Sequence, residues 1–216
     1  MSETGSDREG FAALMLRMRA RGIGSKALFE AIENTPRASF VPAEFRDAVW
    51  SNRTVPIACG ETLEACDFQA AMIAALDLQP GNRLLEIGTG SGYTSAVMAR
   101  LCDKVLTLDR YKTLIQQAQL RHEHLGLTNI VARQSDGREG AAEGPFDRII
   151  VWASFEELPR KFVDQLTSGG IMIAPIGPGE DVQTMTHLTK VGSRFEKVEL
   201  ETTRLQPLAA GVAEAI

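Results

Sequence analysis

One segment restricts the fold of this chain more than any other, the run Glu86-Ile87-Gly88-Thr89-Gly90-Ser91-Gly92. It follows a short apolar strand pattern at 83–87 and precedes an apolar helical pattern at 93–101. Glycines between a strand and a helix allow left-handed backbone and let a ligand approach the main chain closely. In open α/β sheets, ligands bind at this position, beyond the carboxyl ends of the strands. The segment therefore predicts an α/β sheet with a ligand site at the turn.

The chain after residue 80 alternates between strand and helix patterns. Helices are predicted at 111–124 and 156–166. Further strands are predicted at 104–109, 129–134, 146–152, 170–174, 184–189 and 197–203. Such alternation predicts a mainly parallel sheet with helices on both faces. The last two strands have no helix between them and predict a C-terminal β-hairpin, so the fold class is a Rossmann-like α/β sheet.

The first 80 residues do not show this alternation of strand and helix patterns. Helices are predicted around 11–18 and 27–32, an ordered loop from Asn52 to Asp67, and a third helix at 68–78. We expect residues 1–80 to form a helical cover that carries the loop, packed as one compact unit on a core formed by 81–216. On the predicted helix at 111–124, His122 and His124 are two residues apart, which predicts a solvated helix and no metal pair.

The composition argues against several classes of protein. The chain has 216 residues and a formal net charge of −5, which weighs against a duplex nucleic-acid binder. It has no apolar run of the roughly 18 residues that span a bilayer. Residues 1–10 lack the basic-then-apolar order of a signal peptide, so we predict a cytoplasmic protein that binds neither membrane nor nucleic acid. The three cysteines match no zinc or disulfide spacing, and no metal site is expected.

Four acidic or glycine positions at predicted strand ends identify the ligand of the turn. The spacing is Gly-x-Gly-x-Gly and not the Gly-x-Gly-x-x-Gly of dinucleotide sites. Glu86 can meet a positive amino-acid group, and Asp109 can accept hydrogen bonds from ribose hydroxyls. Asp136 can accept from an adenine amino group, where Gly137 leaves room for the ring. Together these features favour S-adenosylmethionine over the rival reading, a nicotinamide-dependent oxidoreductase. Trp152 follows the fourth strand as a candidate ring contact.

Several segments resemble the protein-L-isoaspartate O-methyltransferase family. Leu84 to Tyr93 looks like its cofactor motif, and Thr35-Pro36-Arg37-Ala38-Ser39-Phe40-Val41-Pro42 is similar to its Pro-Arg-x-x-Phe-Val-Pro segment. The likeness runs from about residue 12 to residue 208 and includes Ser135-Asp136-Gly137, 145–151 and the closing Arg204-Leu205-Gln206-Pro207-Leu208. The N- and C-terminal segments are fairly specific to this family, whereas many methyltransferases share the glycine turn.

The resemblance implies a class I methyltransferase with a seven-stranded sheet and S-adenosylmethionine as cofactor, leaving S-adenosylhomocysteine. It implies methylation of a carboxylate on damaged, isoaspartyl protein or peptide substrates, by a monomer or homodimer. The candidate cofactor-binding residues are Glu86, Gly88, Thr89, Gly90, Gly92, Asp109, Arg110, Asp136 and Gly137.

The acceptor loop departs from the family pattern Gly-Gln-Thr-Ile-Ser-x-Pro. Here the glutamine, serine and proline become Glu61, Glu64 and Cys66, while the glycine and threonine are kept. An ionised glutamate cannot donate a hydrogen bond to a substrate carboxylate and repels it. Either both glutamates point to solvent and Thr62 does the family's work, or the acceptor differs. The candidate catalytic residues are therefore Thr62 and Glu64. A small-molecule, amine, hydroxyl or cationic acceptor stays open, as does a non-catalytic relative that binds the cofactor.

Overall fold

A computed structural model describes residues 3–213, with side chains from residue 7 onward, and in this part the chain forms five α-helices and nine strands. The helices are α1 Glu3–Ala20, α2 Lys26–Glu33, α3 Cys66–Ala75, α4 Tyr93–Met98 and α5 Lys112–His124. The strands are β1 Val55–Pro56, β2 Thr62–Leu63, β3 Arg83–Ile87, β4 Lys104–Asp109, β5 Ile130–Gln134, β6 Phe146–Val151, β7 Leu166–Ile176, β8 Gln183–Val191 and β9 Arg194–Thr203.

Seven strands form one sheet in the order β5-β4-β3-β6-β7-β8-β9. The first five in this order are parallel, and β8 and β9 are antiparallel, which confirms the predicted sheet and terminal hairpin. From β3 the chain builds outward to β4 and β5, then returns to place β6 on the other side of β3. The crevice at such a reversal is where open α/β sheets hold ligands. The glycine turn leaves β3 at this crevice.

Each face of the sheet has its own apolar core. Helices α1 to α3 cover one face, where Leu14, Met18 and Leu76 belong to the same buried cluster as Leu84 and Ile150 of the sheet. On the opposite face, Leu85 and Phe162 lie in a second cluster. Alternate residues of β3 therefore point to different cores, as the period of two in a strand requires. The residues before and after residue 80 share the first of these apolar cores. The predicted division of the chain at residue 80 stays a proposal.

The predicted helix at 156–166 is wrong. The structure has only a single 3-10 turn there, Arg160–Val163, and Leu166 already pairs with Phe146 as the first residue of β7. Pro159 accounts for the difference, because a proline has no N–H to donate and disfavours helical backbone in the residue before it. The turn nevertheless buries Phe162 completely, so the apolar residues that suggested a helix serve the core through a shorter element.

The predicted loop at 52–67 is more regular than its sequence suggests. Val55 and Pro56 pair antiparallel with Leu63 and Thr62, which makes a short two-stranded ribbon. Val55 and Leu63 are both buried, so the pairing is fixed by apolar contact as well as hydrogen bonding. Helix α3 begins at Cys66, two residues before the predicted start. The ribbon gives the acceptor loop a defined path beside the glycine turn.

Phe162→Ala tests whether the short turn anchors the second core. The side chain is fully buried and packs edge to face on Phe155 with ring centroids 5.8 Å apart. We expect the free energy of unfolding to fall by about 3 to 5 kcal/mol, measured by urea denaturation, because a cavity of aromatic size remains. Leu120→Ala, at a position 67% exposed on α5, is the control and should change it by less than about 0.5 kcal/mol. Similar losses for both variants would show that the turn does not anchor this core.

Candidate active site

The glycine turn follows a path that requires glycine. Gly88, Gly90 and Gly92 have φ angles of +94°, +52° and +84°, in the left-handed region that disfavours other residues. A Cβ on Gly88 would lie 3.1 Å from Cβ of Trp152, so the turn and the end of β6 approach closely. Thr89 adds a buried hydroxyl that bonds the hydroxyl of Thr107 at 2.6 Å. The turn therefore exposes main chain without side chains to the crevice, and the hydroxyl of Thr89 binds it to β4.

Helix α5 holds the turn from below. Nε2 of His122 lies 2.9 Å from the carbonyl oxygen of Gly92, and the preceding Arg121 donates to the carbonyl oxygen of Ser91 at 2.9 Å. The prediction of a solvated histidine is wrong for His122, which is only 4% exposed. Burial lowers its pKa, so the neutral ring is favoured. The signal was available in the sequence, because Leu114, Ala118 and His122 recur every fourth residue on the buried face of α5.

Glu86 lies beneath the crevice and not in its wall. Its carboxylate is completely buried and accepts hydrogen bonds from the hydroxyls of Thr94 and Thr107 and from Nε1 of Trp152. Burial raises its pKa to about 7, while these three donors act against that rise. Thr94 and Trp152 both reach the crevice, so a ligand would sense the carboxylate through them.

A cavity of about 110 Å³, here called the cofactor cleft, lies along the carboxyl ends of β3, β4 and β6. Its lining includes Gly88, Asp109, Arg110, Gly137, Trp152 and Leu208. Asp109 accepts hydrogen bonds from the backbone N–H of Gly90 and of Tyr111, each at 3.0 Å. Burial raises its pKa, and those backbone donors oppose the rise. Nε of Arg110 is buried and has no hydrogen-bond partner among the residues that the structure describes. The cleft thus offers a carboxylate, a guanidinium and a glycine floor.

Asp136 and Gly137 lie at the far end of the cofactor cleft. A Cβ on Gly137 would collide with the side chain of Ile87, so glycine is required there for packing as well as for access. Asp136 lies beside the lining, and its two oxygens accept from the backbone N–H of Arg138 at 2.9 Å and of Gly211 at 2.7 Å. Asp136 therefore fastens the C-terminal segment across the cleft. Its contact with a ligand stays a prediction.

A second cavity, here called the acceptor cavity, adjoins the cofactor cleft and measures about 50 Å³. Four lining residues are shared by both cavities, namely Glu61, Gly88, Trp152 and Gln206. The structure brings the two predicted catalytic residues together there, since the hydroxyl of Thr62 donates to the carboxylate of Glu64 at 3.0 Å. Thr54 donates to the other oxygen at 3.3 Å. Burial raises the pKa of Glu64, and both hydroxyls act in the opposite direction.

Sequence reasoning missed four polar residues of the acceptor cavity, which are Gln69, Ser91, Thr94 and Gln206. Ser91 was available as part of the glycine turn, and its buried hydroxyl has no hydrogen-bond partner among residues 3–213. Gln206 belongs to the C-terminal segment of the family pattern, which indicates no role for it. In the folded chain its amide lies beside the carboxylate of Glu61. Gln69 accepts a hydrogen bond from the distant Arg37, a contact that no local pattern indicates.

A protein-family model described as protein-L-isoaspartate(D-aspartate) O-methyltransferase matches residues 9–213. The chain belongs to this family. It is thus an S-adenosylmethionine-dependent methyltransferase by family and fold, and the predicted family, fold and cofactor are confirmed. No comparison tests the individual site residues, which stay predictions. In the part of the chain described here, no helix has the length and apolarity needed to cross a membrane.

Relatives of this family member cover nearly its whole length. A protein-L-isoaspartate O-methyltransferase of Rhizobium meliloti is 44% identical over 201 residues, covering 93% of this chain and 98% of the relative. One from Azorhizobium caulinodans is 42% identical over 214 residues and covers 99% of each. A Plasmodium falciparum protein named for the same activity, solved in complex with S-adenosyl-L-homocysteine, has a TM-score of 0.76 at 24% identity and covers 91% of this chain and 97% of that one. That likeness shows the shared fold.

Gly92→Ala tests the contact between the turn and α5. Beyond the left-handed strain, its Cβ would lie 2.8 Å from Cβ of Ala118 and 2.9 Å from Nε2 of His122. Gly126→Ala is a matched control, because Gly126 has a φ of +66° and a Cβ placed there would have no neighbour within 4 Å. We expect a loss of about 1 kcal/mol in the free energy of unfolding for Gly126→Ala and about 2 to 4 kcal/mol for Gly92→Ala. Equal losses would mean that the contact is unimportant.

Glu86 should make stability depend on pH. Because burial raises its pKa from 4.5 to about 7, the folded state holds the proton more tightly than the unfolded chain does. Its stabilising contribution is therefore full below the unfolded pKa and is lost as pH rises through about 7. Glu86→Gln cannot ionise, so its stability relative to the parent should rise by on the order of 3 kcal/mol between about pH 5 and pH 8. A difference that is independent of pH would contradict the buried carboxylate's role.

Proposed function

We propose that this family member uses S-adenosylmethionine to methylate the free carboxylate of isoaspartyl residues in proteins and peptides. The observation that carries the proposal is the wall formed by Gly88 and Trp152, which belongs to both cavities. A cofactor in one cavity and an acceptor in the other would meet at this wall. The names of the relatives, which refer to isoaspartate, supply the substrate class.

The residues of the cofactor cleft fit S-adenosylmethionine. Asp109 would accept from the ribose hydroxyls, and the bare backbone of Gly88 would let the amino-acid end lie against the turn. The unpartnered hydroxyl of Ser91 is a free donor or acceptor beside it. Below this end, Glu86 accepts hydrogen bonds from Thr94 and Trp152 and so positions both side chains. When bound, S-adenosylmethionine supplies a methyl group that is already activated on its sulfonium.

The work left to the protein is alignment and exclusion of water. Orientation of a bound pair can supply a large part of the acceleration of such a transfer. Trp152 is held in place by its indole hydrogen bond to Glu86 and by edge contact with Phe68, with ring centroids 6.1 Å apart. This fixed ring shields the shared wall. The hydroxyl of Thr62 donates to Glu64, and it would turn from Glu64 to donate to an entering carboxylate.

The proposal is tested with a synthetic isoaspartyl hexapeptide and labelled S-adenosylmethionine. We expect methyl incorporation that is base-labile, as a carboxyl ester is, and none into the same sequence with an ordinary aspartyl linkage. Asp109→Ala should raise the KM for S-adenosylmethionine by about tenfold or more, because two charge-assisted hydrogen bonds are lost. Glu123→Ala, at an exposed position on α5, is the control and should leave it unchanged. No incorporation into the isoaspartyl peptide, with cofactor binding intact, would overturn the proposal.

A further inference from the structure

The acceptor cavity has an unusual charge for a site that receives a carboxylate. Among its lining residues only Glu61 and Glu64 are ionisable, and both are acids. The remaining lining is glycine, hydroxyl, amide, apolar and indole groups. A substrate carboxylate entering this cavity therefore meets two like charges and no protein cation in its wall.

Both glutamates are held in the wall. Glu64 is fixed at each oxygen by a threonine hydroxyl, and its backbone carbonyl accepts from Nη2 of Arg37 at 2.6 Å. The amide nitrogen of Gln206 lies 3.2 and 3.3 Å from the two oxygens of Glu61 in the orientation that pairs donor with acceptor. Neither carboxylate can leave the cavity without losing these hydrogen bonds. The negative charge of the two carboxylates therefore belongs to the wall of the cavity.

In the described part of the chain, no neighbouring arginine lines the acceptor cavity. Burial raises the pKa of both glutamates more than Arg37 lowers that of Glu64 or Arg110 lowers that of Glu61. Arg37 is only 2% exposed, and its guanidinium donates to Val49, Gln69 and the backbone carbonyl of Glu64. Arg110 lies in the cofactor cleft. Arg204 has a side chain 74% exposed, which lies 3.6 Å from Asp181. The missing positive charge has to come from the substrate or the cofactor.

We infer that Glu61 and Glu64 make the enzyme select isoaspartyl sites that carry a lysine or arginine beside the damaged residue. A neighbouring ammonium or guanidinium would offset the repulsion that the acceptor carboxylate meets in the cavity. Sites flanked by acids would add a third negative charge and be disfavoured. The inference rests on the proposed function and adds a sequence preference to it. The two glutamates would act as specificity-determining residues, while Thr62 and Trp152 would serve every substrate.

The test uses three isoaspartyl hexapeptides that differ only in the residues flanking the isoaspartyl unit, which are Lys, Gln or Glu. At about pH 8, we expect kcat/KM to be about tenfold higher for the Lys peptide than for the Glu peptide. The ratio should shrink toward one in about 0.5 M salt, since salt screens partly exposed charges.

Charge-removing variants assign the preference to the two side chains. Glu61→Gln and Glu64→Gln should each reduce the Lys-to-Glu ratio, and the double variant should bring it within about twofold, chiefly by improving the Glu peptide. Glu123→Gln is the matched control and should keep the full ratio. Equal rates for the three peptides, or an unchanged ratio in both single variants, would overturn the inference and leave the proposed function intact. No turnover of any peptide would overturn both.

Discussion

The site depends on a close contact between backbone and helix. Gly92 lies so near Ala118 and His122 of α5 that no side chain fits between them, and its carbonyl oxygen is held by His122. This contact fixes where the turn leaves β3, and hence where Gly88 faces the cofactor cleft and Gly90 faces the acceptor cavity. The position of Asp109 follows from it too, because that carboxylate accepts from the N–H of Gly90.

A buried carboxylate joins the turn to the sheet. Glu86 sits in the apolar interior of β3, where an unpaired charge would be costly, and three donors from β4, α4 and the end of β6 converge on it. These hydrogen bonds tie together the elements that line both cavities. Removing the carboxylate would simplify the core, but it would also release Trp152, the ring on which the shared wall depends. The polar network therefore serves the site more than it serves stability.

Local patterns predicted most of the sheet, and the failures come from overlooked local signals as well as from distant contacts. The strand β4 was predicted with its bounds intact because it is buried along almost its full length. The helix at 156–166 failed because an apolar pattern cannot reveal whether strand pairing begins at Leu166. His122 was wrongly predicted to lie on a solvated helix, although its spacing from Ala118 placed it on the buried face. Gln206 lies beside Glu61 only after folding, so no local pattern could assign it.

The acceptor loop shows how a family can change a key side chain and keep its fold. Arg37, from the Pro-Arg segment, binds the backbone carbonyl of Glu64 and not its side chain. Its other hydrogen bonds go to the carbonyl of Val49 and the amide of Gln69. The path of the loop is therefore set by main-chain contacts that any residue at position 64 can make. The side chain there can change without loss of these main-chain contacts, and a glutamate adds negative charge to the cavity wall.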